Sequence, residues 1–347
     1  MQINLKKCLV ILIIYPIASL AWAQTFNDPL SYLQYVGSQF EEISKDMMSY
    51  TSAASHGKSA RKVEKKRQEL MLTVKTAETN MRRLTPYKGD HAFRDSVIAY
   101  FQINGIVLRE EYGKIVNMEE VAEQSYDLME AYLLAKEKAN DKLDEAYTKV
   151  SNQQKAFAEK NNIKLVEGKS KLSEKLETAA KVSQYYNTIY LIFFKSYKDE
   201  VYLLNAVDKM DVNSIEQSKN SLNKNATDGM KTLMKISSFA NDATLKNACM
   251  KNLEFYNSES IRVPGLIDFQ LKKENFEKIK KAFDLKRQSD RTQQDIDEYN
   301  KAIGDFNSAV NKFNVLNNEL NKSRSTALNL WNKTSDEFLD NHTPKYR

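Results

Sequence analysis

The sequence has few residues that interrupt helices. Of 347 residues, only nine are glycine and five are proline, well below the ordinary shares of about 7% and about 5%. Because these two residues cost the most free energy inside a helix, we expect a chain with so few of them to form long helices. Hydrophobic residues still make up 41% of the chain. That is enough to build a packed core, so the composition excludes an intrinsically disordered protein.

Cysteine and histidine are also scarce, and this excludes most metal sites. The two cysteines are Cys8 and Cys249, and Cys8 lies in an N-terminal segment that we expect to be removed. Cys249 alone can form neither an intrachain disulfide nor a zinc cluster. The three histidines, His56, His91 and His342, lie far apart in the sequence and outside any HExxH pattern.

Carboxylates offer no better metal site. Glu119, Glu120 and Glu123 could face a bundle core, but the chain has no pair of the Glu-x-x-His elements that hold metals in di-metal bundles. We interpret these glutamates as a charged helix start, which the helix dipole favours. We therefore expect no metal and no other cofactor.

Motifs for covalent catalysis and phosphate binding are missing too. The chain contains no GxSxG elbow, no SxxK and no glycine-rich phosphate loop. Residues 167–170, EGKS, are similar to the end of a Walker motif but lack the upstream glycine and a preceding strand. Cys249 lies among apolar residues on a helical pattern, which indicates a core position. We predict that the protein is not an enzyme.

The N-terminus has the pattern of an export signal. Lys6 and Lys7 precede an apolar run over residues 8–20, and residues 21–23, AWA, place small residues where a signal peptidase reads them. We expect cleavage after residue 23 and export to the periplasm, the cell surface or the medium; an uncleaved membrane anchor is the alternative. Cys8 precedes the apolar run, whereas the cysteine of a lipoprotein signal follows it.

Removal of that segment leaves a nearly balanced charge. Without Lys6 and Lys7, 50 of the 52 Lys and Arg residues remain, against 46 Asp and Glu residues. The resulting net charge of about +4 is a weak bias, unlike the large excess of a nucleic-acid binder. We expect no nucleic-acid partner.

Capping residues divide the first half of the mature chain into helices. Asp28 followed by Pro29 predicts a helix start, and Gly57 predicts the end of that helix. A second helix is predicted from near Ser59 to Leu84, and Asp90 can cap a third. Residues 117–120, NMEE, fit a capping box that opens a fourth helix.

Two of the predicted helices carry long seams with spacings of three and four residues, which are typical of coiled coils. The seam of the fourth helix has one four-residue stutter, with consecutive spacings of four at positions 135, 139 and 143. The seam of the fourth helix consists of Val121, Ser125, Leu128, Tyr132, Ala135, Ala139, Leu143, Ala146, Val150, Gln153 and Phe157. The seam of the last helix includes Tyr299, Ile303, Phe306, Val310, Phe313, Leu316, Leu320, Ala327, Trp331 and Phe338. No alternating stretch is long enough to predict a strand.

A shift of 152 residues aligns residues 31–116 with residues 183–268. The matched positions include the expected helix caps Asp90 and Asp242, and caps fall outside helical periodicity. This predicts an internal duplication and an all-α, elongated protein of two tandem helical bundles with long, coiled-coil-like helices. The expected parts are a signal peptide (1–23), a first unit (24–161) and a second unit (162–347).

The joint between the two units is predicted in residues 161–170, NNIKLVEGKS. Gly168 can break a helix there, and Ser170 can cap the next one.

One stretch is far more apolar than the rest of the chain. Residues 185–197, YYNTIYLIFFKSY, carry a single charge, at Lys195. As a helix they span roughly 20 Å at 1.5 Å per residue, less than the roughly 30 Å of a bilayer core, so we predict no membrane span. A helix that is apolar nearly all round is usually buried. We predict a core helix of the second unit; an exposed partner-binding stripe is the alternative.

Two basic stretches suggest anionic partners. Residues 55–67 gather cations around a predicted helix start, where a phosphate, a sulfated glycan or an acidic lipid could bind. The candidate anion-binding residues are His56, Lys58, Arg61, Lys62, Lys65 and Lys66. The alternative is a solvated helix face, with Glu64 and Glu69 partly offsetting the charge.

The second basic stretch, residues 271–287, is an amphipathic helix whose apolar side consists of Leu271, Phe276, Ile279, Ala282 and Phe283. Such a helix can lie on an anionic surface. Packing within the bundle is the favoured interpretation.

Three segments resemble a family of uncharacterised bacterial proteins that carry a cleaved export signal and are described as surface proteins. They are HGKSARKVEKKR, NMEEVAEQSYDLMEAYLLAKEKANDKL and LKKENFEKIKKAFDLK. The likeness extends over nearly the whole mature chain. It implies a bacterial source, export to the envelope and a helical architecture, and it brings no catalytic or binding residues.

These observations favour a non-catalytic exported protein. Its long helix faces are expected to act as a scaffold or to bind another envelope or surface protein. A row of asparagines suits such contacts: Asn307, Asn311, Asn314, Asn317, Asn318 and Asn321. The alternative is a binding module for an anionic glycan, lipid or phosphate through residues 56–67. An enzyme of unrecognised type is a third hypothesis.

Overall fold

The computed structural model describes residues 25–110, 125–165 and 170–346. Within these ranges the chain forms α-helices joined by short turns, and β-pairing is limited to two isolated bridges. The predicted all-α class is confirmed. The predicted signal peptide and the capping box at residues 117–120 lie outside the described residues.

Nine α-helices are found in the described ranges. They are α1 (Pro29–Ser55), α2 (Ala60–Arg83), α3 (Ala92–Glu110), α4 (Tyr126–Lys160), α5 (Lys171–Asp208), α6 (Val212–Lys235), α7 (Thr244–Arg262), α8 (Pro264–Leu285) and α9 (Gln293–His342), with a short 3-10 turn at Gln288–Asp290.

The helix ends follow the capping residues of the sequence. The Asp28 carboxylate accepts a hydrogen bond from the Ser31 amide at 2.7 Å, which fixes the start of α1. Gly57, just after α1, has a φ of +61°, a conformation that glycine adopts without strain. Ser170 caps α5 by accepting from the Ser173 amide at 3.1 Å, as predicted. Gly168 lies outside the described residues.

Helices α1 to α4 surround a first hydrophobic core. Its centre contains the fully buried side chains of Leu70, Met81, Val97 and Phe101. At one end Tyr32 stacks on Phe157, with ring centroids 5.3 Å apart, and also packs against Tyr87.

Helices α5, α6, α7 and α9 surround a second core, and the apolar stretch 185–197 lies in its middle. Ile189, Phe193 and Phe194 are buried there, and Phe193 stacks on Trp331 with ring centroids 4.1 Å apart. The placement agrees with the core interpretation of this stretch. None of the described helices is both long and apolar enough to cross a membrane.

Helices α8 and the first half of α9 form a hairpin that extends the second unit. Aromatic pairs join the two helices along its length, with centroid distances of 4.4 Å for Phe269–Phe313, 4.9 Å for Phe276–Phe306 and 4.3 Å for Phe283–Tyr299. The aromatic residues of α8 therefore pack against α9, which agrees with the favoured interpretation of residues 271–287.

Part of the predicted apolar side of α8 is wrong. Leu271 is 53% exposed and Ala282 is exposed as well. The reason is that the contact with α9 is made by the aromatic rings of Phe269, Phe276 and Phe283, which are spaced by seven residues. A narrow two-helix seam covers less of a helix than a bundle core does.

The predicted seam of α4 is also wrong at its beginning. Ser125 is the N-cap of the helix, because its hydroxyl accepts from the Leu128 amide at 3.2 Å, and Leu128 is 48% exposed. Met129 is fully buried instead, in the second core. The buried side of α4 changes because its beginning packs on the second core and its end, at Val150 and Phe157, on the first.

The 152-residue shift relates whole elements of the two units. Both ends of α2 and α6 differ by 152 residues, and so do both ends of α3 and α7. The isolated bridges Tyr87–Asp90 and Phe239–Asp242 obey the same shift. These matches support the predicted duplication, which remains our proposal.

Side-chain contacts repeat as well. Arg94 donates to the Leu84 carbonyl at 3.1 Å, and Lys246 donates to the Ile236 carbonyl at 2.7 Å, again 152 residues later. The equivalent hydrogen bonds Thr73–Asp46 and Asn225–Asp199, both 2.6 Å, indicate that α1 and α5 correspond with a shift of 153 residues. The predicted shift of 152 without a gap over residues 31–116 is therefore wrong by one residue in α1.

Candidate functional site

The predicted anion-binding residues are only partly brought together. Lys58, Arg61 and Lys62 are exposed at the start of α2, and none of them forms an ion pair with another described residue. Lys66 donates to Glu69 at 2.7 Å, and Lys65 lies 3.9 Å from the same carboxylate. The free positive charge is therefore smaller than the sequence indicates.

His56 is separated from the other candidates. Its Nδ1 lies 2.6 Å from Oδ1 of Asp340, and its side chain is only 7% exposed. The hydrogen bond to His56 lowers the pKa of Asp340. This contact joins the end of α1 to the end of α9, so His56 links the two units rather than facing an exposed anion site.

The asparagine row lies on the outer surface of the second unit. Five of its six members are exposed on α9, and Asn317 is half-buried. The row continues from the hairpin toward the bundle.

A buried charged cluster, which the sequence interpretation missed, lies where the hairpin meets the second bundle. Glu200 on α5 and Glu259 on α7 are 1% and 2% exposed, and both pair with Arg324 on α9. The Arg324 Nε donates to Oε1 of Glu200 at 2.6 Å. No motif marks these residues in the sequence, because they come together only through the packing of three helices.

The cluster favours a bound proton. Burial, and after it the charge of Glu200, raise the pKa of Glu259 to about 8 against the opposing effect of Arg324. Burial also raises the pKa of Glu200. Within the described residues, Oε2 of Glu259 and the hydroxyl of the fully buried Tyr256 have no hydrogen-bond partner. One carboxylic acid and one carboxylate facing a single arginine make the cluster neutral.

The first unit has apolar residues where this cluster lies. With the shifts of 153 and 152 residues, Met47 corresponds to Glu200 and Val107 to Glu259. Val107 is buried, and Met47 packs on the first core. The bundle can therefore form without the cluster, whose charges are costly to remove from water.

Beside the cluster, a shallow groove of about 630 Å³ runs between α7 and α9. We call it the α7–α9 groove; its floor consists of Phe255, Ala327 and Leu330, and its rim carries Lys251, Arg262 and Lys322. A smaller depression of about 380 Å³ continues it toward the hairpin.

Metal ligands and the single cysteine of the described residues are the remaining candidates for a reactive site. No group of three or more His, Cys, Asp or Glu side chains is placed there to hold a metal ion; Glu119, Glu120 and Glu123 lie outside that part of the chain. Cys249 is fully buried, and burial raises the pKa of its thiol. A buried thiol with a raised pKa is a weak nucleophile.

Comparison of the chain with protein-family models, with curated proteins and with solved structures finds no match in any of the three. The resemblance to exported bacterial surface proteins remains a prediction.

Proposed function

We propose that the protein is an elongated, non-catalytic helical scaffold that is exported and binds another envelope or surface protein. The observation that carries this proposal is the α8–α9 hairpin. Its two helices pack on each other through stacked aromatic rings, and a pair of helices has no interior in which to enclose a small molecule. Its outer faces, including most of the asparagine row, are exposed. Such faces suit contacts with a protein.

Export is proposed from the signal pattern of residues 1–23, and it is compatible with the periplasm, the cell surface or the medium. The lone cysteine of the mature chain is compatible with export. Cys249 is fully buried, so it cannot exchange disulfides readily in an oxidising compartment.

The test of this proposal is cross-linking on living cells of the source organism, followed by recovery of the tagged mature chain, residues 24–347. The matched variant replaces residues 270–312 by a short Gly-Ser linker that joins Phe269 to Phe313, whose rings lie 4.4 Å apart. We expect the wild type to recover one protein reproducibly and the shortened variant to lose it. Recovery of no protein by the wild type would refute the proposal.

The alternative function is binding of an anionic glycan, lipid or phosphate near residues 56–67. It is favoured by the outward-facing Lys58, Arg61 and Lys62 at the start of α2, where the N-cap Ser59 makes no side-chain hydrogen bond. Binding of heparin, as a sulfated glycan probe, should weaken with salt and in Arg61→Ala/Lys62→Ala. Unchanged binding by this variant would remove the alternative.

A further inference from the structure

We propose that the α7–α9 groove binds an acidic amphipathic helix of the partner protein. This inference rests on the proposed scaffold function and names the surface and the class of partner. The groove combines an apolar floor with a basic rim, and each part points to one property of the occupant.

The shape of the groove fits a helix. Together with its continuation to Val315, the floor follows α9 back from Leu330 over fifteen residues, or roughly 22 Å. Phe255 and Leu330 are half-buried and Val315 is 60% exposed, so apolar surface is open at both ends of this length. The ion pair of Arg262 and Glu319 lies between the two ends. An amphipathic helix of about four turns can place apolar residues at i, i+3 or i+4, and i+7 on such a floor.

The charges around the groove select an acidic occupant. Lys251, Lys312 and Lys322 are exposed, and none of the three has an ion-pair partner among the described residues. Arg262 is already paired with Glu319. Three uncompensated cations beside an apolar floor match a helix with one apolar and one acidic face.

The shape also argues against other occupants. A small ligand is normally enclosed over most of its surface, which this shallow groove cannot do. A lipid surface would contact the outer ridges of α7 and α9 before it reached the floor between them.

The basic rim is not required by the bundle. At the corresponding positions of α3, 152 residues earlier, the first unit has Ala99 and Glu110 in place of the rim residues Lys251 and Arg262. A charge pattern confined to one of two otherwise similar units indicates a role beyond folding.

The test is selection from a displayed library of helical peptides of roughly 18 residues, with randomised surface charge and apolar positions, on the full mature chain. We expect the enriched peptides to have a net negative charge and apolar residues spaced as above. Their affinity should fall at least about tenfold in Lys251→Glu/Lys322→Glu. It should be retained in Lys251→Arg/Lys322→Arg, which shows that the loss follows charge and not folding.

The control variant is Lys149→Glu/Lys155→Glu, which makes the same charge change at two exposed positions of α4. It should bind the peptides as the wild type does. Enrichment of neutral or basic peptides would overturn the proposal, as would equal loss of affinity in this control. If only vesicles containing phosphatidylglycerol bind in a rim-dependent manner, the occupant is a lipid and the proposal falls. The same holds if rim-dependent self-association shows that the groove takes a second copy of this chain.

The cellular cross-linking experiment, repeated with the Lys251→Glu/Lys322→Glu variant, distinguishes failure of the groove proposal from failure of the proposed scaffold function. A partner that is recovered equally by wild type and variant refutes the groove and leaves the scaffold function standing. A wild type that recovers no protein refutes the scaffold function, whatever peptides the groove can bind.

Discussion

Among single residues, Glu259 is the one whose protonation changes most clearly on folding. Its pKa is raised from the ordinary 4.5 to about 8, so the folded state holds a proton that the unfolded chain releases. The stability gained from this proton is complete below pH of about 4.5 and is lost as the pH rises through about 8. Glu200 and Tyr256 face the same carboxyl group and also keep their protons more firmly than usual, while Arg324 stays charged.

We therefore expect Glu259→Gln to stabilise the protein at pH 8.5 relative to the wild type and to flatten the loss of stability between pH 5.5 and 8.5. The amide mimics the protonated acid without ionising. The measurement is the free energy of unfolding in urea at both pH values. Unfolding is monitored by the fluorescence of Trp331, the single tryptophan of residues 24–347. Glu254→Gln, an exposed carboxylate on the same helix, is the control. An equal pH dependence in wild type and Glu259→Gln would contradict this prediction.

At the scale of helices, the same cluster connects three elements. Arg324 on α9 holds Glu200 on α5 and Glu259 on α7, close to the turn at Val263 where α7 ends and α8 begins. The α8–α9 hairpin therefore joins the bundle next to these two buried ion pairs.

Removal of Arg324 should be far more damaging than removal of the whole cluster. We expect Arg324→Met to cost about 3–5 kcal/mol, because it leaves a buried carboxylate without a cation beside the protonated carboxyl group of Glu259. The triple variant Glu200→Met/Glu259→Val/Arg324→Leu should be as stable as the wild type or more stable, since it introduces the apolar residues Met47 and Val107 of the first unit. Urea unfolding at pH 7 measures both. A triple variant less stable than Arg324→Met would be the contrary result.

Helix α4 provides a second test at this scale. Met129 is fully buried in the second core, whereas its neighbour Leu128 is 48% exposed. We expect Met129→Ala to cost about 2–5 kcal/mol and to lower the unfolding midpoint reported by Trp331. Leu128→Ala should change that midpoint little. A larger loss of stability in Leu128→Ala than in Met129→Ala would contradict this prediction and favour the seam predicted from the sequence, which contains Leu128.

At the scale of the whole molecule, the two cores share structure. Helix α4 gives Met129 to the second core and Phe157 to the first. The chain end adds a further link, because the Tyr346 amide donates to the Ser52 hydroxyl at 3.2 Å, next to the contact between His56 and Asp340.

This sharing predicts that the units unfold together. Phe101→Ala creates a cavity in the first core, where Phe101 is fully buried, and it should cost about 3–5 kcal/mol. We expect the midpoint reported by Trp331, which lies in the second core, to fall as well. The exposed Thr148→Ala on α4 serves as the control. A Trp331 transition unaffected by Phe101→Ala would show that the units unfold independently.

The sequence by itself determined the helices and many of their ends. Asp28, Gly57 and Ser170 act through hydrogen bonds and backbone angles within a few residues of themselves, so their effect can be predicted locally. The apolar stretch 185–197 is likewise too short for a membrane span and apolar nearly all round, which favoured a core helix over an exposed partner-binding stripe. The repeat was visible for the same reason, because its matched caps and apolar positions are local features.

Only the tertiary structure decided which helix faces meet and which charges are buried. Leu128 and Met129 are adjacent, apolar and equally suited to a seam, and the second core alone selects Met129. Glu200, Glu259 and Arg324 come from three helices separated by more than fifty residues, so no spacing in the sequence brings them together. The α7–α9 groove has the same origin. Burial and charge pairing depend on which helices pack together in space. The spacing of residues in the sequence indicates only which residues share a face of one helix.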